Sequence, residues 1–372
     1  MQVIKCSREA LAAPMQVVSG VVGKNRQTLP ILSNVLIEKK GSRIEFTATD
    51  LDIEAHTFAE IGGDAPDQSL TVDAAKLNSL LSTLDTKNDV TLEIEKPDAP
   101  VVEVRQGKSA FKLNTMHADE FPLHKEVAFE QGFNIPAKEL KHAMQLVHYA
   151  MAQQDLRYYL NGMYLNIEGD LMKVVTTDGH RLAFNKVTLA KPVESTVSCI
   201  VPRRTVMELM RLLPDDDTAV SVELSKSVFC LSFKDITILS KLVEGKFPDY
   251  TRVIPAGNKN IFTASRESLM LALRRVSVLA NAKLHSLRWQ LRENSLKIES
   301  ANSDREEVTD YIDISYNGDP IDIGFNIMYL QDMLSNLKCE EIQFALSNST
   351  GAMLVTMPDS DAFCYVVMPM RT

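Results

Sequence analysis

The sequence has no run of apolar residues near the roughly 18 that a membrane-spanning helix needs. Its opening Met1-Gln-Val-Ile-Lys-Cys-Ser-Arg-Glu9 has no apolar core behind the charges. A soluble chain that stays in the cytoplasm is expected. Cysteine is scarce and scattered: Cys6, Cys199, Cys230, Cys339 and Cys364 form no Cys-x-x-Cys pair. That excludes a zinc ribbon or a dithiol redox motif and predicts small core residues in a reducing compartment. Gly20-Val-Val-Gly-Lys24 departs from the phosphate-loop pattern, and the seven histidines contain no His-Glu-x-x-His. His117 and His124 fall in a linker and are expected to be solvated. No metal, cofactor or catalytic residue is therefore expected. Low-complexity tracts are missing too, so disorder is not where function resides.

What is present is a repeat. At 372 residues the chain exceeds the size of one ordinary core. The helical stripe Leu11, Pro14, Met15, Val18, Val21, Val22 recurs 129 residues later as Leu140, Ala143, Met144, Val147, Ala150, Met151. It recurs again as Leu269, Ala272, Leu273, Val276, Leu279, Ala280. This spacing lines one face of a helix. Ser7 and Ser265 stand at N-cap positions, Pro136 marks the middle start, and Pro14 is expected to distort the first helix. A second stripe follows in each copy: Leu77, Leu80, Leu81, Leu84; Val206, Leu209, Met210, Leu213; and Leu330, Met333, Leu334, Leu337. Hairpin patterns turn at Gly41, Gly169 and Glu293-Asn294. Two Phe-Pro joints, Phe121-Pro122 and Phe247-Pro248, end copies. Three α+β domains are expected at 1–130, 131–257 and 258–372.

Charge divides by element. The helical segments 7–20, 71–84, 138–151, 202–213, 265–280 and 323–337 together carry +4, while the whole chain is −9. Helices facing a polyanion and strands facing away would produce this bias, since affinity for nucleic acid comes mainly from phosphate neutralisation. Lys24 and Arg26 follow the first helix. Arg157 with Tyr158 and Tyr159 pairs a phosphate partner with ring faces that suit sugar or base.

The strings Arg157-Tyr-Tyr-Leu-Asn-Gly-Met163, Thr177-Asp-Gly-His-Arg-Leu-Ala183, Phe247-Pro-Asp-Tyr250 and Val366-Val-Met-Pro-Met-Arg371, set in three copies of a two-helix domain, resemble the DNA polymerase III beta subunit, the bacterial sliding-clamp family, over essentially the whole chain. The resemblance implies a non-catalytic processivity factor: a head-to-tail homodimer whose helices line a hole around duplex DNA and whose sheets lie outside. It implies a DNA-facing set of Lys24, Arg26, Gln154, Arg157, Tyr158, Tyr159, Arg203, Arg204 and Arg275. A partner-peptide cleft is implied at Leu160, Thr177, Gly179, His180, Arg181, Leu182, Pro248, Arg252, Val253, Asn326, Tyr329, Val366, Met368, Pro369, Met370 and Arg371. Thr350 and Ala352 match the family less well there, and Thr372 replaces an often apolar terminal residue. The implied partners are the polymerase III alpha subunit, the clamp-loader delta subunit, other DNA polymerases, mismatch-repair proteins and ligase. A dimer contact is expected between the edge strand carrying Phe111 and Leu113 and the third domain of a second chain near Val278 and Leu279. Lys108 would face Asp304, Glu306, Glu307 or Asp310.

Independently of the family, Ala48-Thr-Asp-Leu-Asp-Ile-Glu54 and Ala301-Asn-Ser-Asp-Arg-Glu-Glu307 align with Thr176-Thr-Asp-Gly-His-Arg-Leu182, and only the middle copy carries Gly-His-Arg-Leu. Two rival readings exist. One makes Asp178, His180 and Arg181 a hydrolytic cluster, and the other is a protein scaffold that never meets DNA, resting on the acidic pI of about 5.4.

Overall fold

The computed structural model describes residues 2–23, 29–97, 99–125, 127–281, 283–358 and 360–371. Lys24, Arg26 and Thr372 lie outside the described residues. The chain forms two compact units, one of residues 1–138 and 211–242, the other of residues 139–210 and 243–372, so the middle repeat contributes to both.

A helix forms under each expected stripe: α1 (Arg8–Ser19), α2 (Ala74–Thr83), α3 (Ala137–Val147), α4 (Arg203–Leu212), α5 (Arg266–Ser277) and α6 (Ile327–Asn336). Each ends before its stripe does, leaving Val21, Val22, Ala150, Met151, Leu279 and Ala280 of the first stripes and Leu84, Leu213 and Leu337 of the second past the helix ends. Four begin on a side chain that accepts an otherwise unpaired backbone N–H. Ser7 caps α1, Asp73 α2, Ser265 α5 and Asn326 α6. α3 starts directly after Pro136. Pro14 does not interrupt its helix; α1 runs unbroken from Arg8 to Ser19 with Pro14 on its buried face. Arg211 donates to the carbonyls of Gln16 and Val17 at 3.0 and 2.9 Å, a cation where the helix dipole is negative and α1 has no basic residue of its own.

The first unit holds a four-stranded sheet, Gln2–Cys6, Val90–Ile94, Val101–Gln106 and Ser109–Asn114 in spatial order, and an eight-stranded one. In the larger sheet Ile53–Ala59 of the first repeat pairs antiparallel with Ile236–Lys241 of the middle repeat, Ala55 opposite Ile238. The second unit repeats the plan. Its eight-stranded sheet joins Arg181–Thr188 to Ser360–Val367, with Leu182 opposite Val366, and its four-stranded sheet ends on Glu307–Asp313. Sheets thus run through the repeat boundaries. The hairpins turn at Gly41, Gly169 and Asn294, each with positive φ.

Two strands end their sheets with little cover. Ser109–Asn114 is exposed along almost its whole length, including Phe111, and Glu307–Asp313 exposes Tyr311. Val278, just past α5, is 78% exposed. Unpaired edges of this kind are templates for a further strand. The cysteines are unpaired, with Cys230 buried and the others half-buried. The linker reading of the histidines holds for exposed His117 but not for His124. His124 donates its backbone N–H to Glu54 and buries Nε2 without a partner.

Candidate functional site

The strand pair Leu171–Thr177 and Arg181–Thr188 is joined by a turn whose geometry follows from its residues. Asp178 Oδ1 accepts from the backbone N–H of His180 and Arg181 at 2.9 and 3.0 Å. Thr177 Oγ1 donates to the Arg181 carbonyl and accepts from the Gly179 N–H. The closure forces φ of +88° at residue 179, which glycine adopts without strain. Gly179 serves a second purpose: a Cβ there would stand 3.0 Å from the Arg157 guanidinium. Arg157 is clamped by both Asp155 oxygens, at 3.0 and 2.8 Å, and reaches the Asp178 carbonyl at 3.1 Å. Its hydrogen bonds pull the Asp155 carboxyl down to about 2.

Behind this turn lies a cavity of about 200 Å³. Leu160, Leu182 and Val366 form its apolar floor as part of a buried cluster with Val175, Ile200 and Phe247. Phe247 stacks on Tyr164 at 4.8 Å, and that anchor delivers Pro248 to the wall. Asp249 caps the short turn Tyr250–Arg252, which brings Tyr250 and Val253 to the rim. On the far side Met368 donates its backbone N–H to the His180 carbonyl at 2.9 Å, fixing the exit of the last strand against the turn. Val253 and Met368 are each about two-fifths exposed, an apolar lip on an apolar floor.

Ten of the expected cleft residues line this cavity: Leu160, Thr177, Gly179, His180, Arg181, Leu182, Pro248, Val253, Val366 and Met368. Six do not. Arg252 pairs with Asp249 at 2.9 Å and is largely solvated. Asn326 caps α6, and Tyr329 stacks under Arg181 with its ring 4.3 Å from the guanidinium. Met370 donates to the Gly324 carbonyl, with half-buried Pro369 before it and exposed Arg371 after it. Three lining residues lay outside the expected cleft. Arg157 and Tyr159 belong to the expected DNA-facing set, and Tyr250 to the Phe247-Pro-Asp-Tyr250 string. Their signal was adjacency: each sits within three residues of an apolar lining position.

Of the other expected DNA residues, Gln154 is exposed with φ of +55° and Tyr158 is 57% exposed. Arg203 donates to the carbonyls of His148 and Met151 at 3.3 Å, and burial lowers its pKa and that of Arg204. Arg275 pairs with Asp310 at 2.6 Å, so Asp310 already has a cation within its own chain. Lys108, Asp304, Glu306 and Glu307 are exposed beside the two sheet edges, and Leu113 and Leu279 are half-buried. Asp178 spends its oxygens on the turn and on Arg181 rather than on the His180 ring, the arrangement of a structural cap and not of a hydrolytic dyad. No group of three or more potential metal ligands occurs among the described residues, and no helix is long and apolar enough to cross a membrane.

Three family models match the chain: DNA polymerase III beta subunit, N-terminal domain, over residues 1–125, central domain over 134–249 and C-terminal domain over 251–371. The beta sliding clamp of Pseudomonas aeruginosa is 40% identical over 364 residues, covering 98% of each chain. A crystal structure of the Pseudomonas aeruginosa clamp bound to griselimycin superposes over 100% of both chains with a TM-score of 0.94 and 38% identity. A Bartonella birtlesii clamp, also bound to griselimycin, gives 0.95 at 31% identity, again over 100% of both chains.

Proposed function

This chain belongs to the DNA polymerase III beta subunit family, and from that membership we propose how its geometry does the work of a sliding clamp. It is a non-catalytic processivity factor that encircles duplex DNA and tethers the replicative polymerase through an apolar peptide-binding cleft. The observation that carries the cleft's location is the cavity between the Thr177–Leu182 turn and Met368, a concave apolar site with a few fixed polar groups at its rim. It has room for one or two apolar side chains. Burying two would contribute about 3–6 kcal/mol before the costs of ordering a peptide. On their own those two side chains correspond to a Kd of about 6 mM to about 40 μM, weak enough for partners to exchange at one site per chain. The alpha subunit, the clamp-loader delta subunit, other polymerases, mismatch-repair proteins and ligase are the proposed occupants. Griselimycin, the ligand of the Pseudomonas and Bartonella clamps, is proposed to enter the same cavity.

The proposed assembly is a head-to-tail ring of two chains in the cytoplasm, with domains at 1–130, 131–257 and 258–372. In it the uncovered edge Ser109–Asn114 adds to Glu307–Asp313 of a second copy, with Phe111 and Leu113 meeting Val278 and Leu279. Heterologous closure of two chains into a ring removes both edges of each chain at once. Exposed pairs such as Lys108 with Asp304, Glu306 or Glu307 add only about 0–1 kcal/mol each, so apolar contacts dominate. Gln154, Arg157, Tyr158, Tyr159, Arg203, Arg204 and Arg275, with Lys24 and Arg26, are proposed to touch the duplex loosely. A helix surplus of +4 in a chain of −9 centres DNA without gripping it. A loaded clamp is then expected to remain on nicked circular DNA in high salt and to escape once that DNA is cut. Equal retention on linear and circular DNA would reject encirclement. Deleting residues 368–372 is expected to abolish griselimycin binding in calorimetry while leaving the dimer intact. Retained affinity would put the cleft elsewhere.

A further inference from the structure

Arg181 lines the cavity, yet its side chain is only 9% exposed and its guanidinium is taken up by groups of the protein. A buried cation must be compensated or it destabilises its surroundings. Arg181 meets four partners. Nε donates to Asp178 Oδ2 at 3.1 Å, Nη1 to Asp332 Oδ2 at 2.7 Å and Nη2 to the Tyr149 carbonyl at 2.7 Å. The Tyr329 ring lies 4.3 Å away. Burial opposes the charge, but Tyr365, Asp332 and Asp178 outweigh it and hold the guanidinium's pKa above the ordinary arginine value. Asp332 and Tyr329 both belong to α6, which contributes no residue to the cavity lining. Tyr365 ties the same helix down by donating its hydroxyl to the Tyr329 carbonyl at 3.0 Å.

We infer that Asp332 is a positioning residue for the peptide cleft: through Arg181 it anchors the Asp178–Arg181 turn to α6 and so sets the shape of a wall that it does not itself touch. Thr177 Oγ1, Arg157 on the Asp178 carbonyl and Met368 on the His180 carbonyl also hold the turn, but none of these three reaches α6. Asp178 Oδ1 holds two of its amides while Oδ2 holds the Arg181 side chain, so both ends of the turn depend on one carboxylate. Asp332 supplies the second carboxylate, the one that fixes this assembly to a rigid element. Without it the buried guanidinium keeps a single counter-charge and swings toward solvent, taking Gly179 and His180 with it. The His180 carbonyl that receives Met368 moves as well, so both walls of the cleft loosen together. The coupling travels through a continuous set of hydrogen bonds and not through mere proximity.

This inference rests on the cavity being the peptide site, and its test has one arm that does not. Hydrogen exchange on the unliganded full-length chain follows the 177–182 segment in wild type, Asp332→Asn and Asp332→Glu. Exchange in Asp332→Asn is expected to rise about tenfold and to return toward wild type in Asp332→Glu. Unchanged exchange overturns the inference whether or not any ligand binds. Griselimycin titration of the same proteins, with Arg181→Met and the Arg181→Met/Asp332→Asn pair, gives the second arm. Asp332→Asn is expected to weaken binding about tenfold, with the double variant no weaker than Arg181→Met alone, the non-additivity of a shared lock. Affinity of Asp332→Asn within twofold of wild type, or additive losses, overturns it. Wild type failing to bind griselimycin would instead overturn the cleft reading, with the exchange arm still deciding the lock.

Discussion

The turn at Thr49–Ile53 and the turn at Thr177–Arg181 are the same structure built twice. Thr49 Oγ1 donates to the Ile53 carbonyl and accepts from the Leu51 N–H, as Thr177 does with Arg181 and Gly179. Asp50 Oδ1 accepts from Asp52 and Ile53, as Asp178 does from His180 and Arg181. Both third positions are left-handed, φ +81° at Leu51 and +88° at Gly179. What differs is who stands around them. In the first copy a leucine occupies the strained position, and Asp52 carries an ion pair to Lys241. In the middle copy the missing side chain admits Arg157, and Arg181 reaches Asp332. A shared turn therefore encodes the fold, and its non-shared residues decide whether the turn is also a wall.

The largest test of that distinction gives the middle turn the residue of the first. Gly179→Leu adds left-handed strain of about 1–2 kcal/mol and drives a Cβ against the Arg157 guanidinium. Griselimycin affinity is expected to fall more than about thirtyfold once the displaced wall is included, measured by calorimetry with the dimer checked by sedimentation. Wild-type affinity would mean that Arg157 is not part of the wall. Next come the paired threonines. Thr177→Val and Thr49→Val each remove two hydrogen bonds and are expected to lower stability by about 1–2 kcal/mol in denaturant unfolding. Only Thr177→Val should also weaken binding, and equal effects on binding would erase the contrast between the turns. Leu51→Gly should relieve strain and raise stability by about 0.5–1 kcal/mol without touching affinity. Smallest is Tyr149→Phe. The Tyr149 hydroxyl is buried without a hydrogen-bond partner, although its carbonyl serves Arg181. Its removal is expected to change unfolding free energy by less than about 1 kcal/mol, in the stabilising direction. A larger loss would reveal a hydrogen bond at that oxygen.

Much of the site could be read directly. The Thr-Asp-Gly-His-Arg-Leu string announced a turn that departs from its siblings, whereas Phe247-Pro248 announced only a joint between copies, and the fold made Phe247 a buried anchor that delivers Pro248 to the wall. The third copy's counterpart diverged further: Asn302, not an aspartate, accepts from Asp304 and Glu306, and the left-handed residue is Arg305. Tyr250 escaped notice because nothing in Asp249-Tyr250-Thr251 says which way a short capped turn will point. Asp332 escaped for a stronger reason. It lies 151 residues from Arg181 and has the pattern of any polar position on an amphipathic helix.

The sequence by itself determined the repeating elements, because apolar periodicity, caps and turn residues act over a few residues and each copy carries its own apolar stripes and hairpin turn. It determined the bias of charge toward helices, which is a property of composition. Tertiary structure decided the rest. The middle repeat is divided between two compact units, since strand pairing such as Ala55 with Ile238 is satisfied wherever an edge is open, regardless of which repeat supplies it. It also decided that Arg157 lines the cavity and that Arg275 pairs with Asp310. The partner of a long charged side chain is chosen by what folding brings within about 3 Å of it, and no local pattern records that.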